Sequence, residues 1–501
     1  MNVLFVYSNR DCRSPKVPLD SFQSIHLGVS YIAAELKRRG HATRCVVLSN
    51  EWKRKSEELL AAAIGEWDPR LVCFTSVSSQ FAFISALARL VKGRWPQRFL
   101  LGGGTSISLE PAQALRGAFD AVCVGEGEYP AAELAEALAA GRPPHAIPNL
   151  WLKNPDGSAE ANPTREFLPE LDRLPFPDRQ MWEPWVRPSG RAMHSILLSR
   201  GCPFGCAYCS NHALRKLADG PYVRFRSPAN IVAEIAQLRR QYPETRDVYL
   251  QCETIAVDLD WVCELGDKLA EYLRTLPAPL RFACNLRVTR SCLQDRFFAA
   301  LARGGVRTLE IGLESGSERV RCEILRRNYT NQEFLAAVDL ARRHGMTVNL
   351  YNMVGLPTET PAEHEETVEL NRRVCPERCY TSIFYPYPGT DLYALCQSQG
   401  LLRRHHATAF ERSQATLDLP TFSRAQIQRA WYWFEFRAYR GRRPFLLRVR
   451  RLISRRIASQ RWLRSAFNRL LPLWHWLRHR KQLSSASGSS ARAPQSGVGP
   501  P

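Results

Sequence analysis

Two hydrophobic periods alternate along the first 140 residues. Short apolar runs occur at Asn2–Ser8, 43–48, Leu71–Thr75, 99–101 and 121–124, and they read as buried strands. Between them the apolar positions fall at helical spacing in Leu27–Arg38 (LGVSYIAAELKR, ended by Gly40), 57–67 and 81–92. This alternation predicts an α/β domain built on a Rossmann-like, doubly wound parallel sheet. Such sheets bind ligands at the carboxyl ends of their strands. The loops there are small and polar: Ser76, Ser78, Ser79 and Gln80; Gly102, Gly103, Gly104, Thr105 and Ser106; Gly125, Glu126, Gly127 and Glu128. Glycine lets a bulky ligand approach the backbone, and the serines and Gln80 offer hydrogen bonds. The pattern fits a nucleotide- or cofactor-sized site, and it also fits plain tight turns. No G-x-G-x-x-G follows the first strand, which disfavours a dinucleotide.

Residues 139–180 are rich in proline, and Leu171-Asp172-Arg173-Leu174-Pro175-Phe176-Pro177-Asp178 punctuates a passage between domains. A second βα series follows. Its strands are expected at 194–199, Asp247–Gln251, 280–285, 307–313, 347–352 and 380–385, with helical patterns such as Pro228–Gln241 and 331–344 between them. Six such strands predict a partial (β/α)6 barrel of the TIM type, with reactive groups at the C-terminal strand ends. Those ends carry Glu253, Asn285 and Arg287, Glu314 and Ser315, Gly355, and the 385–390 loop. Taken singly, each residue is explained as well by loop geometry or a surface ion pair as by ligand binding. The boundaries read as a first domain at 1–145, a linker at 146–185, a barrel at 186–400, a basic helical region at 401–483 and a disordered Ser/Gly/Pro/Ala tail at 484–501.

Composition changes the picture in two places. Fifteen cysteines, odd in number and scattered, stand in a chain whose opening has no basic n-region; a reducing cytoplasm with free thiols is expected. No apolar run reaches the roughly 18–20 residues of a membrane span. The net charge of +21 is concentrated: residues 424–481 hold 17 Lys or Arg and one acid, Glu435, which gives +16. Interleaved with Trp, Phe and Leu, this stretch reads first as a peripheral membrane surface, second as a helix docked on the barrel and third as a nucleic-acid site.

The sharpest chemical signal is Ser199-Arg200-Gly201-Cys202-Pro203-Phe204-Gly205-Cys206-Ala207-Tyr208-Cys209, directly after the first barrel strand. Three thiolates on one loop can hold three irons of a cubane cluster and leave the fourth open. Zinc would need a fourth ligand, for which His212 is the candidate. Cys375, Cys379 and Cys396 would make a sparse second cluster, or buried apolar thiols. The C-x3-C-x2-C loop, with an aromatic residue just before its last cysteine, resembles the signature of the radical S-adenosylmethionine (SAM) enzymes. The Ser76-x-Ser78-x-Gln80, Gly102–Thr105 and Gly125–Glu128 loops, with Leu171–Asp178, resemble the cobalamin-binding domain and linker that precede many radical SAM cores. The resemblance covers about residues 1–400. The D-x-H-x-x-G pattern, whose histidine ligates cobalt in other cobalamin proteins, is absent.

The resemblance implies a cobalamin-dependent radical SAM enzyme, most closely a methyltransferase. A [4Fe–4S] cluster on Cys202, Cys206 and Cys209 would cleave SAM to a 5′-deoxyadenosyl radical, and methylcobalamin would deliver a methyl group to an unactivated carbon. Tyr208, Glu253, Arg287, Glu314, Ser315 and Gly355 are the implied SAM contacts. Ser76, Ser78, Gln80, Gly102, Gly103, Gly104, Thr105, Gly125, Glu126 and Gly127 are the implied cobalamin contacts. The implied substrate is a natural-product or lipid intermediate, and the implied partner is a flavodoxin- or ferredoxin-type reductant. A cobalamin-linked cyclase and a membrane-docked iron–sulfur protein without catalysis are the alternatives. No catalytic side chain is assigned.

Overall fold

A computed structural model gives the structure, describing residues 1–10, 12, 14–402 and 411–459. The chain divides into a unit spanning residues 1–442 and a second spanning 443–501. The first unit opens with β1 (Asn2–Ser8), α1 (Leu27–Arg38), β2 (Ala42–Leu48), α2 (Arg54–Trp67), β3 (Leu71–Thr75), α3 (Phe81–Arg94) and β4 (Phe99–Gly103). Two one-turn helices, α4 (Thr105–Leu109) and α5 (Pro111–Leu115), lead to β5 (Ala121–Cys123) and α6 (Glu128–Ala139). Strands β1 to β5 are parallel in the order 2-1-3-4-5, the doubly wound sheet expected. The 146–185 stretch is more than a linker. Its β6 (Leu150–Lys153) and β7 (Ala159–Ala161) extend the same sheet in antiparallel fashion. Beyond them Trp182 is fully buried and donates from Nε1 to Ser30 Oγ at 2.8 Å. Phe22 stacks on His194 with ring centroids 4.7 Å apart. The two halves of the unit therefore share one core.

The barrel half begins with β8 (Met193–Leu197). A short hairpin follows, β9 (Ser199–Arg200) paired with β10 (Arg224–Phe225), with α7 (Asn211–Leu214) between its arms. Then come α8 (Pro228–Gln241), β11 (Asp247–Gln251), α9 (Leu259–Arg274), β12 (Arg281–Leu286), α10 (Asp295–Arg303), β13 (Val306–Glu314), α11 (Asn331–Arg343), β14 (Thr347–Val354), α12 (Pro361–Val374) and β15 (Arg378–Ile383). Six parallel strands run in the order 15-14-13-12-11-8, the open barrel that the sequence predicts. The helices start on local signals. Ser227 caps α8 ahead of Pro228, and Thr330/Glu333 and Thr360/Glu363 form capping boxes. Alternate strand residues such as Val248, Leu250, Leu309 and Ile311 are buried against these helices, leaving Tyr249, Glu310 and Tyr351 for the inner face.

After α13 (Asp391–Ser398) comes α14 (Arg424–Ala438). Part of the basic region read as a membrane surface packs here on the barrel. Ile427, Trp431, Phe434 and Ala438 are buried at helical spacing, and Trp431 Nε1 donates to the Thr381 carbonyl at 2.8 Å. The docked-helix reading holds for this segment. The second unit's α15 (Phe445–Ser459) is basic and amphipathic, with Phe445, Leu446 and Ile453 exposed. Residues 403–410, the 460–483 part of the basic region and the 484–501 tail lie outside the described residues. All fifteen cysteines are free, and no helix among the described residues is long and apolar enough to cross a membrane.

Candidate active site

The cysteine loop leaves β9 at the C-terminal mouth of the barrel. Gly201 has φ +81°, and a Cβ there would lie 2.0 Å from the Tyr222 carbonyl oxygen, so only glycine fits. Cys209 N donates to the Cys206 carbonyl at 3.1 Å, turning the loop back on itself. Arg287 hydrogen-bonds the Cys206 sulfur, and its guanidinium lies 3.9 Å over the Phe204 ring. Asn211 Nδ2 donates to Cys209 Sγ at 3.7 Å. Burial, with Cys206, Glu253 and Cys209 nearby, pushes the Cys202 thiol up to about 11 despite an N–H from Phe204. Iron, when bound, would supply positive charge that favours the Cys202 thiolate.

Among the described residues no three His, Cys, Asp or Glu side chains close around one metal-sized point. That arrangement is what zinc would need. His212 is instead paired with Asp391 at 3.2 Å. A cubane asks only for one thiolate per iron, and the three-sulfur loop with an N–H donor on each sulfur fits it. A second cluster finds no support. Cys379 Sγ is turned to Asn371 Oδ1 at 3.2 Å, while Cys396 is buried on α13 in an apolar cluster.

Tyr208 and Glu314 meet beside the loop. The Tyr208 hydroxyl donates to Glu314 Oε1 at 3.1 Å, and Arg327 Nη1 donates to the Tyr208 oxygen at 3.0 Å. Burial raises the Glu314 carboxyl above its ordinary range, with Arg327 pulling the other way. Glu314 also sits at φ +65°, a strained conformation that tertiary packing must hold. Glu253 lines the cavity below, its carboxyl also raised by desolvation and eased by Asn211. Two implied SAM contacts have other duties. Ser315 is fully buried, its hydroxyl 3.5 Å from Thr367 on α12. Gly355, at φ +82°, makes room for α14: a Cβ there would lie 2.8 Å from Ile427 Cγ2.

A cavity of about 490 Å³ joins the two halves. Its first-domain wall includes Gly103, Gly104, Thr105, Gly125, Glu126 and Gly127. Its barrel wall includes Arg200, Gly201, Gln251 and Glu253. Six of the ten implied cobalamin contacts are thus brought together, and four are not. Gln80 is buried and accepts from Ser8 Oγ at 2.6 Å; Ser76 Oγ donates to the Val77 carbonyl at 3.1 Å; Ser78 is half-buried on a short turn; Gly102 is packed under Ile107 and Phe119. Gly104 is obligatory, since a Cβ at its φ of +96° would lie 2.6 Å from the Ser76 oxygen. A Cβ at Gly103 would make only ordinary contacts, with Cys123 Cβ at 3.9 Å and the Phe74 carbonyl oxygen at 4.0 Å.

The sequence reading missed His26, Arg200 and Arg224 in this wall. His26 caps α1: Nδ1 accepts from Val29 N at 3.1 Å, which leaves the proton of the neutral ring on Nε2. Glycine loops facing the start of the cysteine loop, Ser199 to Gly201, across one cavity make a fitting seat for a large planar cofactor near an iron–sulfur centre.

Comparison with known proteins agrees with this geometry. Residues 196–370 match the Radical SAM superfamily model and residues 21–135 match the B12 binding domain model. The chain is 25% identical to an uncharacterized methyltransferase of Pyrococcus horikoshii, over 80% of this chain and 85% of that protein. It is 24% identical to the anaerobic magnesium-protoporphyrin IX monomethyl ester cyclase of Rubrivivax gelatinosus, over 73% of this chain and 65% of that protein. The fold is shared with the radical SAM methyltransferase TsrM of Kitasatospora setae, at TM-score 0.61 and 18% identity, over 79% of this chain and 75% of that one. The chain belongs to the cobalamin-dependent radical SAM enzymes. Its cofactors are a [4Fe–4S] cluster, SAM and cobalamin.

Proposed function

We propose that the protein methylates an unactivated carbon of a small natural-product or lipid intermediate. The observation that carries this reading is a cavity bounded by the glycine loops on one side and, on the other, by Ser199, Arg200 and Gly201, which lead directly into the cysteine loop. When bound, the cluster with SAM supplies a hydrogen-abstracting radical and cobalamin supplies a methyl carrier. The chain's own work is placement and exclusion of water. Cys202, Cys206 and Cys209 would hold the cluster. Glu253 and Arg287 offer the negative and positive charges with which the amino and carboxylate groups of SAM would pair. Tyr31, Leu27 and Phe5 give the cavity an apolar first-domain wall.

The test is an anaerobic reconstitution with iron, sulfide and hydroxocobalamin, followed by SAM and a strong reductant. Retained cobalt, 5′-deoxyadenosine and S-adenosylhomocysteine together support methyl transfer, and deuterated methyl-SAM then marks any product. 5′-Deoxyadenosine without S-adenosylhomocysteine favours the cyclase reading, which the Rubrivivax gelatinosus relative keeps in view. No SAM product at all returns the chain to an iron–sulfur binding role. The same assay run with a flavodoxin or ferredoxin in place of the chemical reductant tests the electron donor.

For the C-terminal helix we propose peripheral contact with an anionic lipid surface. The support is α15 itself, where Arg448, Arg450, Arg451 and Arg455 flank Leu446, Val449, Ile453 and Ile457. Flotation of the full chain with anionic vesicles is expected, and L446E/I453E should abolish it. Unchanged flotation of that variant refutes the contact.

A further inference from the structure

The Gly125–Glu128 loop carries two carboxylates that a cofactor seat does not need, and their partners lie in the barrel half. Glu126 Oε1 accepts from Arg200 Nη1 at 2.9 Å and from Arg224 Nη1 at 2.9 Å. Its Oε2 takes Arg224 Nη1 at 3.1 Å and the Leu168 backbone N–H at 2.9 Å. Glu128 Oε1 takes Arg200 Nη2 at 2.5 Å. Arg224 is 5% exposed and Glu128 is 5% exposed, so this is no surface pairing. The Arg224 guanidinium also lies 5.0 Å from the Phe167 ring, and that of Arg200 lies 5.5 Å from the Tyr31 ring. Four separate stretches meet here: the β5–α6 loop, the 167–168 segment, α1 and the β9–β10 hairpin.

The hairpin makes the arrangement informative. Arg200 and Arg224 are directly opposed across β9 and β10. Like charges facing across a strand pair repel, so the hairpin alone is poorly matched. A carboxylate between the two guanidiniums reverses the sign of that contact. The carboxylate comes from the first domain. The hairpin in turn shapes the cysteine loop, because Gly201 and Cys202 follow Arg200 and Gly201 lies against Tyr222 in the facing arm. Consistent with a charged pair, Glu126 is held below the ordinary carboxylate range: burial alone would raise it, and Arg200 and Arg224 overcome that.

We infer that Glu126, Glu128, Arg200 and Arg224 form an ion clamp that fixes the cluster loop at a set distance from the cobalamin seat. These are positioning residues, and Glu126 is reassigned from cofactor contact to clamp. The inference rests on the two cofactors, and not on which substrate is methylated.

The experiment uses the full chain loaded with cob(II)alamin and a chemically reduced [4Fe–4S] cluster, both paramagnetic. Pulsed electron paramagnetic resonance measures the spin–spin distance, and iron and cobalt are assayed on the same samples. Wild type should give one narrow distance. Glu126→Gln should keep both metals near wild-type content while the distance distribution broadens and its mean shifts. Arg200→Lys keeps the charge and loses the fork, so it should fall between the two. A wild-type distribution in both variants overturns the clamp. So does loss of cobalt from Glu126→Gln with the remaining loaded molecules at the wild-type distance, because that marks Glu126 as a cofactor contact. Should Glu126→Gln misfold, Arg200→Lys alone decides by the same criterion. Failure of methyl transfer in the earlier assay leaves this measurement unaffected.

Discussion

Glu359 offers a quantitative test of the loop that ends β14. Its side chain is fully buried. Oε2 accepts from Gly355 N at 2.6 Å and Leu356 N at 3.1 Å, while Oε1 is buried without a partner. Burial raises the carboxyl from 4.5 to about 8; the two N–H donors and Arg319 pull down, and Glu363 pushes up. A carboxyl raised on folding adds stability that is complete below pH 4.5 and is lost as pH climbs toward 8. At about 1.4 kcal/mol per pH decade, the span from 4.5 to about 8 sets a ceiling of about 5 kcal/mol, and relaxation and water entry make a few kcal/mol the expected size. Glu359→Gln keeps a carbonyl acceptor for both N–H groups and removes the titration. The melting temperature of the variant should match wild type near pH 5 and exceed it by several degrees at pH 9. Melting temperatures, compared at each pH, suit a large chain whose unfolding need not be two-state. Parallel wild-type and variant curves from pH 5 to 9 would refute a protonated Glu359 at neutral pH.

Other expectations follow from single contacts. Alanine at Cys202, Cys206 or Cys209 should remove cluster iron and 5′-deoxyadenosine formation while leaving cobalamin retention intact, as iron and cobalt assays would register. Gly104→Val places a side chain against the Ser76 carbonyl at a φ of +96°, so cobalt retention should fall with cluster iron unchanged. Trp431→Ala loses a buried ring and the bond to the Thr381 carbonyl; a cost of about 3–5 kcal/mol should appear as a lower melting temperature for the barrel. His26→Ala removes the α1 cap and should cost about 1 kcal/mol, but no cobalt-bound nitrogen, so the cob(II)alamin resonance spectrum should keep its wild-type splitting.

Strand and helix periods are local signals, which is why both sheets and the cysteine loop were legible from the chain alone. What stayed hidden shares one cause: a residue's partner lay far away in sequence. Gly125–Glu128 does line the cavity, as its glycines suggest, but the arginine partners of Glu126 lie 74 and 98 residues away, at Arg200 and Arg224. Ser315 and Gly355 sit at barrel strand ends, where ligands are expected, but Thr367 and Ile427 claim them. In α14 the arginines drew attention to a membrane, although the Ile427, Trp431, Phe434 and Ala438 stripe was there to be read as a packing face. β6 and β7 were hidden by the surrounding prolines, since an edge hairpin needs only a few residues.

The two halves of the 1–442 unit are held in register and not merely tethered. A cofactor seat at the carboxyl edge of one sheet and a cluster loop at the carboxyl edge of another could be joined by a flexible tether, but chemistry shared between two centres tolerates little drift in their spacing. The chain spends its buried charges on that spacing. Arg179 bonds the Ser195 carbonyl and Glu234, both at 2.7 Å, and Arg226 reaches Tyr31 of α1 at 3.2 Å. With Arg200 and Arg224, four arginines engage the interface between the halves, each paired with a carboxylate. Buried ion pairs contribute little net stability against apolar packing, but they are directional. Apolar contacts such as Trp182 and Phe22 would hold the halves together in many registers; the arginine forks allow one. Replacing Arg226 by Met should therefore leave the halves associated, as judged by resistance to proteolysis across 171–185, while loosening the spin–spin distance described above. Proteolytic separation of the halves in that variant would show that the arginines supply cohesion as well as register.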